Sequence, residues 1–239
     1  MRKMFLLCML IPLFGLSQTK NVVTVNRLFP KPDKVAEFEK ALANHAQKYH
    51  SGDWRWRVFE IQTGQDAGGY HITEGPSDWE TLDKRGDLSS EHTTDWMKNV
   101  MPLTTDRSSS GYYEFETDLS NVAISDYSDK IIINHMFIKP GMVMQATELV
   151  KKLKKVWVAG NESVAVYTAV VSGPPQFSTV TRLKAGLKEL SDNYRKPLPE
   201  RFNAVHGEGA WNYYLMDYAK AIESRWSELL VYRADLSSK

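Results

Sequence analysis

Apolar and polar positions follow the same pattern in two stretches of the chain, residues 21–49 and 129–157. Each stretch opens with a strand-like alternation, passes a Lys-Pro pair and continues with apolar residues at the spacing of one helix face. The Lys-Pro pairs correspond, and Asn26 corresponds to Asn134. The helix faces carry Val35, Phe38, Leu42, His45 and Tyr49 in the first stretch and Val143, Ala146, Val150, Leu153 and Trp157 in the second. A repeat of this length predicts two similar structural units.

Each unit continues with further elements in the same order. In the first unit, the composition predicts strands at 54–63, 70–74 and 112–117 and helices at 77–84 and 88–101. In the second unit, it predicts strands at 163–171, 177–183 and 229–233, a short helix at 185–192 and a longer helical region at 199–224. Both units therefore read strand, helix, strand, strand, helix, second helical segment, strand.

These units predict an α+β fold of two tandem halves. Each half covers only one face of its sheet with helices, so the halves are expected to close sheet against sheet. We expect a first half at 18–120, a linker at 121–128 and a second half at 129–239. An Asp-Leu-Ser tripeptide ends each half, at 118–120 and at 235–237.

The first seventeen residues have the features of a secretory signal peptide. Arg2 and Lys3 form a positive end, residues 4–13 an apolar core, and Gly15-Leu16-Ser17 a small-residue exit. The apolar core is too short for a membrane span. We therefore expect export to the periplasm or the medium after cleavage near Ser17, and no membrane span in the mature chain.

The charge balance argues against nucleic acid and anionic membranes as partners. The chain has 30 Lys and Arg against 29 Asp and Glu, a formal net charge of +1. Its single cysteine, Cys8, lies inside the predicted signal peptide. The mature chain is therefore expected to lack disulfides, thiol nucleophiles and thiolate metal sites.

The common catalytic motifs GxSxG, Walker A, HExxH and GxGxxG do not occur in the sequence. His45 and His50, five positions apart, would point roughly 140° away from each other on a helix, so no metal site is predicted. His45 takes the place of Leu153 and is interpreted as a residue at the edge of the core. His71 and His92 remain open as functional candidates.

The order of elements resembles the dimeric α/β-barrel superfamily of ferredoxin-like units, which includes antibiotic-biosynthesis-type monooxygenases. Here one chain would supply both ferredoxin-like units. The segment Asn26-Arg27-Leu28 resembles the first strand of haem-degrading monooxygenases of that superfamily, and Trp79 occupies the place of a tryptophan on the helix after their third strand. The resemblance implies catalytic roles for Asn26 and Trp79, with haem as a candidate cofactor. His92, the nearest candidate haem ligand, lies roughly one helical turn further from Trp79 than in those enzymes.

Asn26 and Trp79 each also have a structural interpretation. An asparagine in a central strand needs hydrogen-bond partners, and Asn26 could be a satisfied structural residue shared with Asn134. Trp79 could be a packing residue, because Leu187 fills the matching place in the second half.

Polar and aromatic residues suited to a pocket collect in the first half. The predicted ligand-binding residues are Trp56, Tyr70, His71, His92 and Asn134. For the first three, the sequence spacing matches Ala165, Ser178 and Thr179 in the second half, and no histidine matches His92. A buried polar group without a partner costs on the order of 1–3 kcal/mol, so the asymmetry favours a ligand site in the first half.

The sequence therefore predicts an exported protein that binds a small apolar or aromatic molecule, with a tetrapyrrole among the candidates. The candidate activity is a cofactor-independent or haem-dependent monooxygenase. The alternative is a non-catalytic binding or interaction module of the cell envelope, for which a filled barrel interior is expected. No oligomeric state follows from the sequence.

Overall fold

Alternating apolar side chains bring eight strands into one closed antiparallel barrel, with helices packed on its outside. The computed structural model describes residues 19–239, so the predicted signal peptide lies outside the described residues. The strands are β1 (Val22–Leu28), β2 (Trp56–Ile61), β3 (Tyr70–Ser77), β4 (Ser109–Phe115), β5 (Lys130–Ile138), β6 (Val164–Val170), β7 (Gln176–Arg182) and β8 (Ile222–Tyr232). The α-helices are α1 (Val35–Tyr49), α2 (Trp79–Asp83), α3 (Ser90–Asp95), α4 (Val143–Ala159), α5 (Leu198–His206) and α6 (Ala210–Ala221). None of the helices in this range is long and apolar enough to cross a membrane.

The strand order around the barrel is β1-β3-β2-β8-β5-β7-β6-β4. Within the first half this order places the fourth strand beside the first, then the third and the second. The second half has the same internal order, β8-β5-β7-β6. The α+β class and the barrel agree with the sequence prediction.

The halves also join edge to edge at two seams, which closes the barrel while the two sheets face each other across its interior. One seam pairs β2 with β8 from Phe59↔Tyr232 to Ile61↔Leu230. The other pairs β4 with β6 from Tyr112↔Val170 to Phe115↔Tyr167. Edge pairing satisfies backbone groups that two separate sheets would leave open.

Apolar side chains form one cluster inside the barrel and one on each outer face. The inner cluster joins both halves through Phe59, Ile61, Ile131, Ile133 and Leu230. In the first half, α1 packs its apolar face on β1, β2 and β3. In the second half, α4 packs on β6 and is covered in turn by α5 and α6.

The two Asp-Leu-Ser tripeptides exchange places across the barrel. Leu119, from the end of the first half, lies in the outer cluster of the second half, and Leu236 lies in that of the first. Ser120 Oγ accepts the backbone N–H of Val166 at 2.8 Å, and Ser237 Oγ accepts that of Val58 at 2.9 Å. Each half therefore completes the outer layer of the other.

The largest error in the predicted elements is at β8. The expected helical region 199–224 ends at Ala221, and the strand begins at Ile222 instead of residue 229. This strand carries Glu223, Arg225 and Glu228, which hide the apolar alternation typical of strands. It pairs with β5 along nearly its whole length, so partner pairing decides its conformation.

Candidate functional site

A groove of about 320 Å³ lies on the outer face of the first half, between the sheet and the helical segments around α1, α2 and α3. Strand alternation points the even-numbered residues of β1, β2 and β3 outward at this place. Its walls are Thr24, Asn26, His45, Trp56, Glu74, Leu82, Arg85, His92, Trp96, Ser110 and Tyr112. The volume suits a small organic ligand.

Three predicted site residues, Asn26, Trp56 and His92, line this groove. Trp79 stands next to it, with its ring 5.5 Å from the Tyr112 ring between centroids. The Trp79 Nε1–H donates to Glu114 at 2.6 Å, and 39% of the residue is exposed. Trp79 is therefore neither a buried packing residue nor a central one.

The other predicted residues lie elsewhere. Tyr70 is buried beneath α1, where its hydroxyl donates to Glu39 at 2.6 Å. His71 points into the barrel interior. Asn134 lies on β5 in the second half. The predicted single pocket is thus divided among three regions of the molecule.

Asn26 and Asn134 occupy matching places but have different partners. The Asn134 side chain accepts from Ser227 Oγ at 2.6 Å and lies 3.4 Å from Thr179 Oγ1, to which its amide donates. The half-buried side chain of Asn26 makes no hydrogen bond to any described residue. The satisfied structural role fits Asn134, whereas the Asn26 amide is free to meet a ligand.

Three histidines meet at the groove: His45 on α1, His50 directly after α1, and His92 on α3. Their ring centroids are 4.9 Å (His45–His92), 5.2 Å (His45–His50) and 5.2 Å (His50–His92) apart. One ring nitrogen of each lies within 4.8 Å of the others. We call these three residues the histidine cluster.

The expectation that His45 and His50 do not converge is wrong. The helix ends at Tyr49, and His50 has extended backbone angles, φ −109° and ψ 100°. The helical angle between successive residues does not apply past that end. His50 turns back toward His45 as a result.

Carboxylates hold two of the imidazoles by their Nδ1 atoms. His45 Nδ1 lies 2.7 Å from Asp95 Oδ2, and His50 Nδ1 lies 3.0 Å from Glu74 Oε2. His50 Nδ1 also lies 3.2 Å from the carbonyl oxygen of Trp54, which can only accept. Both Nδ1 atoms therefore donate. The Nε2 atom of each residue then carries the lone pair and can accept a hydrogen bond or bind a metal ion.

Those Nε2 atoms are buried without a hydrogen-bond partner among the described residues. The Nδ1 atom of His92 is in the same condition, although an oxygen of Asp87 lies 3.5 Å away. Each unpaired buried polar atom costs on the order of 1–3 kcal/mol. Three such atoms in one cluster form a place that a water molecule, an ion or a ligand would satisfy.

Burial keeps the imidazoles neutral. It lowers the pKa of His45 to about 4, with His50 and His92 adding to the effect against the opposing pull of Asp95. Burial likewise lowers the pKa of His50, against the opposing pull of Glu74. At neutral pH both residues therefore offer nitrogen lone pairs.

Aromatic rings enclose the histidine cluster. Trp56 stacks on His50 with centroids 3.6 Å apart, and its Nε1–H donates to Glu74 at 2.8 Å. The Trp96 ring lies 5.1 Å from that of His45. Arg85 completes the shell by donating Nε–H to Glu74 at 2.8 Å. The carboxylate of Glu74 is thus fixed from three sides while it orients His50.

Haem, which the resemblance implies, does not fit this arrangement. A haem iron takes protein ligands along one axis, on either side of a flat macrocycle. His45 and His50 are 0% and 1% exposed, so neither offers a face wide enough for such a ring. His92 is hemmed in by His45 and by Tyr49, whose ring is 5.5 Å away. We therefore derive no chemistry through haem.

A second cavity, of about 90 Å³, lies inside the barrel. Arg27 donates Nη1–H to Asp66 at 2.8 Å and forms an ion pair with Glu228, which also lies 2.9 Å from His135 Nε2. Burial raises the pKa of Glu228, but the bonds from His135 and Arg27 outweigh it and bring that pKa to about 2. His71 is buried here, and burial lowers its pKa to about 3. Arg27 and Glu228 are paired and the space is small, so the interior holds waters more readily than an aromatic ligand.

Comparison with models of protein families and with curated protein sequences gives no match. Solved structures do resemble the chain. An anthrone oxidase-like protein superposes with a TM-score of 0.60 at 14% identity over 90% of this chain and 92% of its own. A protein of Fusobacterium nucleatum subsp. nucleatum ATCC 25586, provisionally named a monooxygenase, gives 0.54 at 11% identity over 88% and 91%. Another so named, from Lactobacillus acidophilus NCFM, gives 0.52 at 10% identity over 91% and 95%.

These proteins have the ferredoxin-like dimeric α/β-barrel fold, and the chain shares their mixed α+β barrel architecture. At such low identity the likeness concerns the fold alone.

Sequence reasoning missed His45, His50, Glu74, Arg85 and Trp96. One signal was present, because His45 replaces an apolar residue of the other half at a helix position that faces the sheet. A polar residue at a core position needs a partner, and that requirement points to a site. No pattern in the sequence shows that α3 lies across the end of α1.

Proposed function

We propose that the chain binds a small aromatic molecule in the groove of the first half and catalyses its oxidation by O₂. The observation that carries this proposal is the free amide of Asn26 in a groove with aromatic walls, beside histidines whose buried ring nitrogens have no hydrogen-bond partner among the described residues. Aromatic rings provide stacking surface, and a few fixed polar groups orient the ligand.

The groove accounts for the polar residues better than the barrel interior does. Its volume of about 320 Å³ exceeds the roughly 90 Å³ inside the barrel. Trp56, Trp96 and Tyr112 offer rings, while Asn26 and Arg85 offer donors. The fold is compatible with this chemistry, since one structural neighbour is named anthrone oxidase-like and two are provisionally named monooxygenases.

Anthrone is a suitable first probe for both binding and reaction. Oxidation of its methylene carbon to a ketone by one O₂ gives anthraquinone and one water, which balances all atoms and electrons. Quenching of tryptophan fluorescence reports binding, because Trp56 and Trp96 line the groove. An oxygen electrode together with anthraquinone absorbance reports turnover against the uncatalysed rate.

The matched pair of variants is Asn26→Ala and Asn134→Ala. Loss of one hydrogen bond to the ligand should weaken binding roughly three- to tenfold in Asn26→Ala. Asn134→Ala, on the other side of the molecule, should bind as the wild type does. Equal losses in both variants, or no binding by the wild type, would contradict the proposal.

We also propose that the chain is a tandem duplication that forms within one polypeptide the barrel that two ferredoxin-like chains form elsewhere. The shared strand order and the exchanged Asp-Leu-Ser ends support it. The test is to express residues 18–120 and 129–239 separately and together. Each alone should fail to fold, and the mixture should restore the circular dichroism of the intact chain.

Export remains part of the proposal, supported by the pattern of residues 1–17. Protein isolated from its own host should begin near Gln18 and should partition with the exported fraction. An intact Met1 on the accumulated protein would contradict it.

The second candidate is an interaction module without catalysis, favoured by the outer face of α6. Tyr213 and Met216 are 71% and 59% exposed there. A photo-crosslinker at position 213 should capture a partner in the host if this candidate is right. An absence of aromatic binding together with such capture would favour it over the oxidase.

A further inference from the structure

We propose that His45, His50 and His92 bind one divalent transition-metal ion of the Zn²⁺, Co²⁺ or Cu²⁺ type. The inference rests on the geometry of these side chains and does not require that an aromatic molecule binds. It assigns a role to the unpaired nitrogens that the aromatic ligand alone leaves unexplained.

The number and kind of donors fit such an ion. Three neutral imidazoles and an open fourth position are the ligand set of many catalytic metal sites, while imidazole suits Zn²⁺, Cu²⁺ and Ni²⁺. The Nδ1 atoms of His45 and His50 face carboxylates, so their Nε2 atoms are the ones placed to bind an ion. The lack of any cysteine among the described residues leaves imidazole as the characteristic donor.

Outer partners of the kind that metal sites use are already in place. A metal-binding histidine usually binds the metal through one ring nitrogen and donates the N–H of the other to a carboxylate or carbonyl, which fixes the ring and raises its basicity. Asp95 does this for His45, and Glu74 does it for His50. An ordinary packed histidine needs no such arrangement repeated on two neighbouring rings.

The three histidine ring nitrogens need to move only a short distance toward one another to coordinate a single ion. Metal–nitrogen distances of about 2.0–2.1 Å place tetrahedral ligand atoms roughly 3.4 Å apart. The ring nitrogens here lie within 4.8 Å of one another. Side-chain rotation by on the order of 1 Å would bring them onto one ion.

The surrounding charges favour a cation. Glu74 and Asp95 are negative beside the histidine cluster, and Asp87 lies beside His92. Arg85 offsets one of these charges through its pair with Glu74. Three carboxylates against one guanidinium leave the balance of these groups negative, which a divalent ion would offset.

A bound ion would be reached from the groove. His45 and His92 both contribute to its wall, so the open coordination position faces the space where the aromatic molecule is proposed to bind. The ion could therefore receive water, O₂ or a ligand oxygen at that position.

The test is titration of metal-free protein with Co²⁺, followed by visible absorption, and then displacement by Zn²⁺. The protein should carry no polyhistidine tag, and Cys8→Ser should be included so that no thiol contributes. We expect one Co²⁺ per chain, with the absorption of a four- or five-coordinate nitrogen site. Electron paramagnetic resonance of the Cu²⁺ form should show nitrogen coupling.

Three variants and one control decide the assignment. His50→Gln and His92→Ala should each weaken Co²⁺ binding by more than about a hundredfold, beyond the typical loss on removing an outer partner. His45→Ala should do the same. His206→Ala is the matched control, because His206 lies on α5 and bonds the Lys152 carbonyl. It should retain full binding.

Folding is checked separately by circular dichroism of the metal-free variants. His92 lies on the short helix α3, so its variant should stay folded even if His45→Ala does not. Absence of Co²⁺ binding by the wild type, or equal binding by a folded His92→Ala, would overturn the assignment. Anthrone binding measured in chelator-treated protein tests the groove by itself, so either proposal can fail alone.

Discussion

The two halves of the barrel differ most in the layer between sheet and helices. In the first half this layer is open and polar around the histidine cluster, whereas in the second half apolar side chains fill the matching place under α4. The second half has its own groove, of about 400 Å³, lined largely by charged residues such as Glu162, Glu189 and Arg195. Strand register identifies the matching positions: Trp56 pairs with Glu74 in the first half, and Val164 pairs with Thr181 in the second. Leu153 stands where His45 does. Val164, Phe202 and Tyr214 belong to one apolar cluster, and Phe202 is 1% exposed.

This difference separates stability from function within one scaffold. The second half gains burial of apolar surface, on the order of 1.5–3 kcal/mol for each large side chain. The first half keeps a cluster of unpaired nitrogens that cost free energy, whereas the buried unpaired atoms of the second half lie on Gln176 and Arg182 of β7 and on Tyr218 of α6. Unpaired nitrogens gathered in one cluster are expected to persist where a bound ion or ligand satisfies them.

The largest expected effect lies in the filled half. Phe202→Ala should lower the free energy of unfolding by about 3–5 kcal/mol, because it leaves a cavity among α4, α5 and α6. Urea unfolding measures it. Leu190→Ala, at a position 51% exposed, is the control and should change stability by less than about 0.5 kcal/mol. A loss below about 1 kcal/mol in Phe202→Ala would show that this half is not the stabilising one.

The second effect concerns pH and the open half. The pKa of His45 is about 4 in the folded chain, compared with a reference value of 6.5. The unfolded state therefore binds more protons in this window, and the free energy of unfolding should fall by about 3 kcal/mol as pH drops from 6.5 to 4. His45→Leu, which copies the second half, should lose this part of the slope.

His50 has a lowered pKa as well, so the variant should keep a smaller slope in the same direction. Urea unfolding at several pH values measures both proteins. Asp95 and Glu74 face the histidine cluster, and their pKa values are also lowered. Their contribution falls mainly below pH 4.5 and should leave the window above it to the histidines. Identical slopes in wild type and variant would contradict the assigned burial of His45.

A smaller effect is expected when only the orientation of His45 changes. Asp95→Asn presents an amide N–H to the His45 ring and favours the wrong tautomer, with the proton on Nε2. Cobalt binding should weaken roughly 10–100-fold. Asp217→Asn on the exposed side of α6 is the control, and Co²⁺ titration is the measurement. Unchanged Co²⁺ affinity in Asp95→Asn would show that Asp95 does not orient His45 for metal binding.

The smallest effect is expected at the rim. Trp79→Leu, which again copies the second half, removes a ring that is 39% exposed and one hydrogen bond to Glu114. Anthrone affinity should fall less than about threefold and stability by less than about 1 kcal/mol. A larger loss of anthrone affinity in Trp79→Leu than in Asn26→Ala would show that the ligand binds closer to Trp79 than to Asn26.

Much of the architecture could be predicted because periodic patterns carry it. The repeat at 21–49 and 129–157 locates β1, α1, β5 and α4 closely. The predicted correspondence between halves was displaced by one residue in places: register matches Trp56 with Val164 and His71 with Ser178, not with Ala165 and Thr179. A one-residue displacement exchanges the two faces of a strand, so inward and outward side chains were mixed.

The site was less predictable because it depends on where α1 ends and on how α3 crosses it. His50 follows the last helical residue, and helix ends are the least certain part of any pattern. His92 reaches His45 only through tertiary packing over more than forty residues of chain. The outward position of Asn26 could be predicted because its place on a strand is a local property, whereas the histidine cluster is a property of the assembled fold.

The exchanged Asp-Leu-Ser ends also have a consequence for the order of folding. The backbone N–H of Trp56 donates to the hydroxyl of Ser238, 182 positions further along the chain, and that of Val58 donates to the hydroxyl of Ser237. During synthesis, the first half therefore lacks these contacts, and its groove remains incomplete, until nearly the whole chain has been made. Contacts so distant in sequence slow folding. The wall behind the histidine cluster should accordingly be among the last regions to gain protection from hydrogen exchange, long after the hairpin of β2 and β3.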